Sequence, residues 1–287
     1  MKIGVIGAGA IGMFVSAKLS KSHDVTCYVR RDEQRLIIND EGIRLNDQTY
    51  RVASKLFDNL KNEDLLIICL KQTHLDSALK KLSENHPDTP MLFLQNGLSH
   101  IDKIKSLSQP ILIGTCEHGV LRVSDYEVRH KGEGRIYLSA FEETTKELAK
   151  ERISPIIDGD DFPVIFKDDL MSMLYEKLVI NSVINPITAL FQVENGKVLS
   201  NSHLKEIAYN LTVEGCEVLN LDENHMWKRV QQVAEHTSSN FSSMVYDIQK
   251  GNETEIESMN GYLLNISDQE LPNHELIYHL IKAKEIM

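Results

Sequence analysis

The stretch Lys2-Ile3-Gly4-Val5-Ile6-Gly7-Ala8-Gly9-Ala10-Ile11-Gly12 decides the predicted fold of this 287-residue chain. Its first half is an apolar run typical of a buried strand, and residues 13–21 are typical of a helix. The pattern G-A-G-A-I-G therefore falls at a strand-to-helix corner. There the first glycine makes the tight turn, the second lets the backbone approach a pyrophosphate, and the third lets helix and strand pack closely.

We expect this corner to bind a dinucleotide, because the start of a helix offers unpaired N–H groups and partial positive charge to phosphates. A glycine-rich turn that serves only the packing of a strand on a helix is the alternative. The residues expected to contact the cofactor here are Gly7, Ala8, Gly9, Ala10, Ile11 and Gly12.

The end of the second predicted strand, residues 24–30, indicates which dinucleotide is bound. Arg30 and Arg31 stand about where NAD-selective folds place an acidic residue, and an arginine there accommodates a 2′-phosphate. This position favours NADP. Alternatively, the arginines belong to a solvated strand end and pair with Asp32 and Glu33.

Further strands alternate with helices up to about residue 168, which is typical of a doubly wound parallel sheet. Helices are expected at residues 74–82 and 101–107, and hairpins at residues 42–54 and 127–140. The remaining strands are predicted at residues 64–70, 90–94, 111–114 and 163–166.

Beyond residue 168 the pattern is helical. The predicted helices cover residues 170–191, 204–220, 224–233, 243–248, 253–266 and 274–286. The predicted fold class is thus α/β, with an N-terminal doubly wound domain of Rossmann type at residues 1–168 and an all-helical domain at residues 169–287.

Composition restricts the class of partner. The formal net charge of -11 and the sequence pI of about 5.5 argue against a nucleic acid or an anionic membrane surface, which favour basic patches. The four cysteines include no C-x-x-C pair, which suits a reducing compartment, and Cys116 with His118 lacks further ligands at metal-like spacing. No leader or membrane span is evident. We expect a cytoplasmic protein without a metal.

Lys177, Asn181 and Asn185 recur every four residues, which places them on one face of a predicted helix among apolar residues. A solvated helix face is the ordinary explanation for such a row. Repeated asparagine is unusual on a surface helix, however, because it is a poor helix former. The row therefore indicates amide and amine groups that face a small polar ligand. Pro186 is expected to bend or end this helix.

Several motifs along the whole chain together resemble the ketopantoate reductase family. They begin with the glycine turn and Arg30, and the most specific is K-L-x-x-N-x-x-x-N-P-I-T-A at residues 177–189. The others are Leu70-Lys71, Gln95-Asn96-Gly97, Asn195-Gly196, Ser242-Ser243-Met244 with Asp247-Ile248, and Thr254-Glu255-Ile256 leading to Asn260-Gly261.

The resemblance implies NADPH-dependent reduction of 2-dehydropantoate to pantoate, a step of pantothenate and coenzyme A biosynthesis. Lys177 matches the family's catalytic lysine, which stabilises the developing alkoxide and supplies its proton. Substrate-binding positions of the family match Asn96, Asn181, Asn185, Asn195 and Ser243, and cofactor-contacting positions match Lys71, Asn96, Val120 and Glu255.

Some of these residues have a simpler explanation. Asn96 and Asn195 each precede a glycine, as in an ordinary turn, and Ser243 resembles a surface helix residue. Glu255 lies three residues after Asn252, which is the spacing of a capping box. For Lys177, which follows Glu176, the simpler explanation is a lysine on the protein surface.

Two other functions remain open. The first is reduction of a different 2-keto acid on the same scaffold, and the second is a non-catalytic protein that senses NADPH. A homodimer through the helical domain is the expected assembly, and either Arg30 or Arg31 contacts the 2′-phosphate.

Overall fold

The computed structural model describes residues 1–71, 74–86 and 88–287. The chain divides into two compact units. Unit 1 comprises Met1–Gln95 and His100–Leu170, and unit 2 comprises Asn96–Ser99 and Met171–Met287. The predicted division at residue 168, with the roles assigned to the two domains, stays a prediction.

Unit 1 contains the strands of the described chain. They are β1 (Lys2–Ile6), β2 (Asp24–Val29), β3 (Ile43–Leu45), β4 (Gln48–Tyr50), β5 (Ala53–Leu56), β6 (Leu65–Ile68), β7 (Met91–Phe93), β8 (Ile111–Cys116), β9 (Gly119–Arg122), β10 (Glu127–Gly132), β11 (Ile136–Ala140) and β12 (Val164–Phe166). Its helices are α1 (Ala10–Leu19), α2 (Asp32–Glu41), α3 (Leu75–Asn85), α4 (His100–Ile104) and α5 (Ser154–Ile157).

Eight strands form the large sheet, in the order β12-β11-β8-β7-β6-β1-β2-β5. From β5 to β8 neighbouring strands are parallel, and β11 then runs antiparallel to β8. The chain therefore winds outward from β1 on one side and from β6 on the other, which is the predicted doubly wound topology. The direction reverses between β1 and β6, so the carboxyl ends of these two strands flank the place where such folds bind ligands.

Burial explains why these strands form the centre. Every residue of β6 is buried, and β1 is buried from Ile3 to Ile6. Parallel strands covered on both faces consist of such continuous apolar runs. The core of unit 1 also takes in Phe14 and Val15 of α1, so the helix after the glycine turn packs on the sheet.

A second sheet has the order β4-β3-β10-β9. The hairpin predicted at residues 42–54 is confirmed, since β3 and β4 pair antiparallel around Asn46, which has a φ of 54°. The hairpin predicted at residues 127–140 is wrong, because β10 joins β9 and β3 whereas β11 joins the large sheet. The chain changes sheets at Gly134, where a Cβ atom would lie 2.6 Å from the backbone nitrogen of His118.

Unit 2 is helical, as predicted. Its helices are α6 (Leu170–Phe191), α7 (Lys197–Ser200), α8 (Ser202–Leu219), α9 (Glu223–His236), α10 (Ser243–Gln249), α11 (Asn260–Ile266) and α12 (Pro272–Glu285). The single helix predicted at residues 253–266 is wrong. A 3₁₀ turn covers Ile256–Ser258, and Met259, with φ -114° and ψ -90°, separates it from α11.

Helix α6 begins where the sequence predicts and continues to Phe191, so it passes Pro186 without ending there. Of the two predicted effects of Pro186, the end of the helix is therefore wrong. Buried side chains surround the proline on both sides in sequence, from Ser182 to Ala189. Packing of this kind holds a helix together where its own hydrogen bonds are interrupted.

Two histidines join the sheets of unit 1. The backbone N–H of Gly134 donates to Nδ1 of His118 at 3.1 Å, so this nitrogen is an acceptor. Nε2 of His130, 3.0 Å from the same nitrogen, must then carry a proton and donate it. Burial, together with the nearby His130 and Lys18, lowers the pKa of His118 to about 4. His118 is thus a structural residue that is neutral at pH 7.

We expect the protein to lose stability on acidification, because the unfolded chain protonates His118 near pH 6.5 and the folded chain only near pH 4. The free energy of unfolding should fall by about 3 kcal/mol across this range through this group. Denaturant unfolding at several pH values measures the slope.

The matched comparison is His118→Asn, which keeps an acceptor for Gly134 but does not titrate, against His279→Asn at an exposed position of α12. His118→Asn should make the free energy of unfolding less dependent on pH, and His279→Asn should leave this dependence unchanged. An equally steep dependence in His118→Asn would contradict the assignment.

Candidate functional site

The glycine turn of unit 1 has two glycines that the chain itself requires. Gly7 has a φ of 103°, which residues with a side chain rarely adopt. Its N–H donates to the carbonyl of Tyr28 at 2.9 Å. At Gly12 a Cβ atom would overlap the carbonyl oxygen of Gly7. These two residues let α1 start directly against the end of β1.

Gly9 is different, because nothing in the described chain lies within 4 Å of the position its Cβ would take. Its backbone, with φ -79° and ψ -167°, is one that any residue adopts. Gly9 is also the N-cap of α1 and has no side chain to bond the free N–H groups of the first turn. Open space beside unpaired N–H groups fits a phosphate group that approaches the backbone.

Gln34 supports this turn, and sequence analysis missed it. Its side-chain amide donates to the carbonyl of Ala8 at 3.0 Å and to that of Asp125 at 2.9 Å, and the residue is 6% exposed. A glutamine near the start of a helix carries no signal of such a role. The contact depends on a residue more than 90 positions away, which single-sequence patterns do not reveal.

The two candidate arginines have different surroundings. Arg31 forms an ion pair with Asp125 at 2.5 Å, whereas Arg30 lies exposed at the end of β2 and donates to Nε2 of His74 at 3.5 Å. Asp32, an expected partner of the arginines, instead pairs with Arg35 at 2.7 Å.

The remaining cofactor candidates of unit 1 lie on separate elements. Lys71 is exposed and follows β6, the strand beside β1, so it stands at the same sheet edge as the glycine turn. Val120 is half-buried in β9 of the small sheet and packs against the core of the unit.

In unit 2, α6 carries the predicted row on one continuous helix. Lys177 and Asn181 are half-buried, and Asn185 is 8% exposed. The row is therefore not a solvated face. Glu176, the carboxylate next to Lys177, lies 3.6 Å from both Arg229 and His225 of α9, so it interacts with cations of that helix.

The segment from Glu255 to Met259 contains one predicted site residue and contacts two others. Oε2 of Glu255 accepts a hydrogen bond from Nδ2 of Asn96 at 3.3 Å, and Nδ2 of Asn185 lies 3.8 Å from the sulfur of Met259. Gly97, with a φ of 74°, fits only without a side chain, since a Cβ would meet Ser258, 2.6 Å from its Oγ. Asn96, Asn185 and Glu255 thus come from distant parts of the sequence to one segment.

The predicted capping box at Glu255 is wrong. Residues 253–255 are not helical, so no helix begins directly after Asn252, and Glu255 itself makes no side-chain cap. Thr254 caps the turn instead, because its Oγ1 accepts from the N–H of Ile256 at 3.2 Å and donates to Glu285 at 2.6 Å. The Glu255 carboxylate accepts a hydrogen bond from Asn96.

Asn195 and Ser243 occupy different environments. Nδ2 of Asn195 donates to Thr237 at 2.9 Å, while its buried Oδ1 has no hydrogen-bond partner among the residues the structure describes. A buried carbonyl of this kind can accept a ligand hydroxyl. Ser243 is exposed at the start of α10, whose cap is Ser242, and Ser242 also accepts from Thr188 of α6 at 2.8 Å.

The described residues also bear on metals and membranes. No group of three or more His, Cys, Asp or Glu residues in ranges 1–71, 74–86 and 88–287 is arranged to hold a metal ion. Burial raises the pKa of Cys27 to about 11 and raises that of Cys69 strongly, so both thiols stay protonated near neutral pH. Within the same ranges, the helices are too short or too polar to span a membrane.

Strand order and glycine turn define unit 1 as a dinucleotide-binding type of α/β fold, followed by a helical part. Residues 3–143 match the family model described as "Ketopantoate reductase PanE/ApbA", and residues 169–285 match "Ketopantoate reductase PanE/ApbA C terminal". The chain belongs to the ketopantoate reductase family, which confirms the resemblance seen in the sequence.

Individual relatives agree with this assignment. The chain is 37% identical to a 2-dehydropantoate 2-reductase of Bacillus subtilis (strain 168) over 296 residues, covering 99% of this chain and 98% of the relative. It is 36% identical to the protein of that name from Listeria monocytogenes, covering 99% and 97%.

Solved structures show the same fold. A crystal structure of a probable 2-dehydropantoate 2-reductase from Bacillus subtilis superimposes with a TM-score of 0.84 at 35% identity, covering 99% of this chain and all of that one. A ternary structure of D-mandelate dehydrogenase with NADH and anilino(oxo)acetate gives a TM-score of 0.93 at 22% identity, covering 100% and 99%. The second likeness concerns the fold alone. The predicted fold class is confirmed.

We expect Gly9→Ala to weaken binding without loss of stability, and Gly12→Ala to lower stability. Gly9→Ala should leave the melting temperature unchanged and weaken dinucleotide binding at least about tenfold, because the new methyl group enters space that the chain leaves open. Gly12→Ala should lower the melting temperature, because its Cβ overlaps the Gly7 carbonyl. Thermal unfolding and a fluorescence titration with NADPH measure the two effects. Unaltered NADPH binding by Gly9→Ala would remove Gly9 from the site.

Proposed function

We propose that this chain reduces 2-dehydropantoate (ketopantoate) to pantoate with NADPH, as part of pantothenate and coenzyme A biosynthesis. The family assignment and the curated relatives support an oxidoreductase that acts on ketopantoate. The observation that carries the proposal for the site is the burial of the row of polar residues on α6. Its last member, Asn185, contacts Met259, in the same segment as Glu255, to which Asn96 donates a hydrogen bond.

Lys177 is the proposed general acid. Reduced nicotinamide, when bound, would supply the hydride that reduces the keto carbon, and negative charge then develops on the carbonyl oxygen of the substrate. The Lys177 ammonium stabilises the charge that develops there and donates the proton that completes the hydroxyl of pantoate. Solvent returns a proton to the lysine afterwards, so one hydride and one proton are added in total.

Neutral amides are the proposed substrate ligands. Asn181 and Asn185 follow Lys177 at four-residue intervals, and the unpartnered Oδ1 of Asn195 can accept from the hydroxyl of the keto acid. Asn96 and Ser243 complete the proposed set. Amide and hydroxyl groups hold a carboxylate and a hydroxyl without burying a further charge that needs a partner.

The glycine turn, Lys71, Asn96, Val120 and Glu255 are the proposed cofactor contacts. For the 2′-phosphate we propose Arg30 rather than Arg31, because Asp125 already engages the Arg31 guanidinium. Breaking that ion pair would offset part of any gain from a phosphate contact. Glu255 adds to the cofactor contacts a carboxylate that Asn96 holds in place.

The homodimer through the helical domain and the cytoplasmic location stay predictions. Exposed Leu276 and Leu280, four residues apart on α12, are apolar side chains of unit 2 that a dimer contact would cover.

We expect the protein to consume NADPH when ketopantoate is added, and Lys177→Ala to lower kcat by about 10²–10⁴-fold, the usual contribution of a positioned acid. NADPH affinity should stay nearly unchanged. Absorbance decay measures turnover and fluorescence measures binding.

A panel of other 2-keto acids separates the alternatives. Preference for another acid would keep the lysine mechanism and replace the substrate. NADPH binding without turnover of any acid would favour the sensor, and a Lys177→Ala variant of near-normal rate would exclude Lys177 as the acid.

We expect Arg30→Ala to weaken NADPH binding at least about tenfold more than NADH binding, since only NADPH carries the 2′-phosphate and a charge-assisted bond is lost. Arg31→Ala is the matched control and should change both affinities little. Equal losses for the two nucleotides in Arg30→Ala would contradict the assignment, and a selective loss in Arg31→Ala would transfer the role to Arg31.

A further inference from the structure

Pro186 leaves one carbonyl of α6 without its usual donor. Proline has no N–H, so the carbonyl of Ser182, four residues earlier, receives no bond from position 186. Ser182 is fully buried, at 0% exposure, and its carbonyl therefore has no access to bulk water. A buried carbonyl normally finds another donor, because leaving it unpaired is unfavourable.

Asn260 supplies this donor from another helix. Its Nδ2 donates to the Ser182 carbonyl at 3.0 Å, and Asn260 is itself fully buried at the first position of α11. The direction of the amide is fixed, because a carbonyl only accepts and the flipped amide would place two oxygens in contact. The side chain of Asn260 thus replaces the hydrogen bond that Pro186 does not make.

His274 orients Asn260. Nε2 of His274 lies 3.0 Å from the carbonyl of Leu211, so it must carry the ring proton, and Nδ1 is then an acceptor. Nδ1 receives the second hydrogen of Asn260 Nδ2 at 2.9 Å. Burial lowers the pKa of His274, which favours the neutral ring that these contacts require. Hydrogen bonds therefore run from α8 through α12 and α11 to α6.

Glu214 of α8 fixes the position of His274. Its carboxylate accepts from the backbone N–H groups of Asn273 and His274, both at 3.0 Å, in the first turn of α12. Negative charge at a helix N-terminus is favourable, so this contact anchors the end of α12 that carries the imidazole. Hydrogen bonds from Glu214 through His274, in addition to packing, therefore fix the orientation of the Asn260 side chain.

The part of α6 that receives this bond carries two proposed substrate ligands. Asn181 directly precedes Ser182, and Asn185 directly precedes Pro186 and contacts Met259, the residue before Asn260. We propose that Asn260 is a positioning residue: it replaces the bond missing at Pro186 and so holds the turn of α6 that presents Asn181 and Asn185 to the keto acid. This inference rests on the proposed function.

A double-mutant cycle of Asn260→Leu and Pro186→Ala tests the pairing. Leucine has a similar size but donates nothing, and alanine restores the N–H that can bond Ser182. We expect Asn260→Leu to lower the melting temperature by about 5 °C and to lower kcat/KM for ketopantoate about tenfold, mainly through KM. NADPH affinity should stay unchanged. The double variant should recover most of both losses. Asn265→Leu, at an exposed position of the same helix, is the control.

Coupling between the two substitutions supports the proposal, and additive losses in melting temperature or in KM overturn it. An unchanged KM in Asn260→Leu also overturns it. If Asn260→Leu does not fold alone, recovery of folding on adding Pro186→Ala supports the pairing and continued failure overturns it. If the wild-type protein reduces no ketopantoate, the proposed function is wrong, and the unfolding cycle alone then decides whether Asn260 replaces the bond.

Discussion

The approach of α1 to the end of β1 is the constraint on which unit 1 depends. Gly12 has no Cβ, and the carbonyl of Gly7 occupies the space that a Cβ would take. The helix can therefore start against the strand at the point where the winding of the sheet reverses. Because the chain leaves the space at Gly9 open and the first helical N–H groups unpaired, the same geometry that closes the core creates room for a phosphate. The packing of α1 and the proposed phosphate contact at Gly9 thus have one structural cause.

In unit 2 the corresponding constraint is the segment at residues 254–260. It contains little regular structure, and three of its polar side chains bond to different parts of the unit. Thr254 bonds to α12 through Glu285, Glu255 bonds to Asn96, and Asn260 bonds to α6 at Ser182. A regular helix at this place would use its backbone groups internally. An irregular segment can instead fix several distant side chains at once, which a site assembled from distant residues requires.

Local patterns predicted most of the fold and the row on α6, because strand burial, helix periodicity and glycine turns act within a few residues. They failed where a distant contact decides the conformation. Residues 127–140 have the pattern of a hairpin. Gly134, however, packs closely against the backbone of His118, and β10 and β11 join different sheets. The helix predicted at residues 253–266 is interrupted by bonds to other elements. Gln34 and Asn260 had no recognisable role for the same reason, since the carbonyls of Asp125 and Ser182 to which they donate lie 91 and 78 positions away in the sequence.

An acidic protein can hold anionic ligands because charges act over short distances in salt solution. At physiological ionic strength exposed charges are screened within about 8 Å, so the formal charge of -11 matters less than the groups beside the ligand. Arg30 and Lys71 stand at the edge of the large sheet, and Lys177 lies half-buried on α6, where screening is weaker. In the proposed site the Lys177 ammonium supplies positive charge to the keto oxygen, and the neutral amides of Asn181 and Asn185 add no carboxylate of their own. Charged side chains at positions 181 and 185 would need partners of their own. A carboxylate there would also compete with the alkoxide for the proton of Lys177.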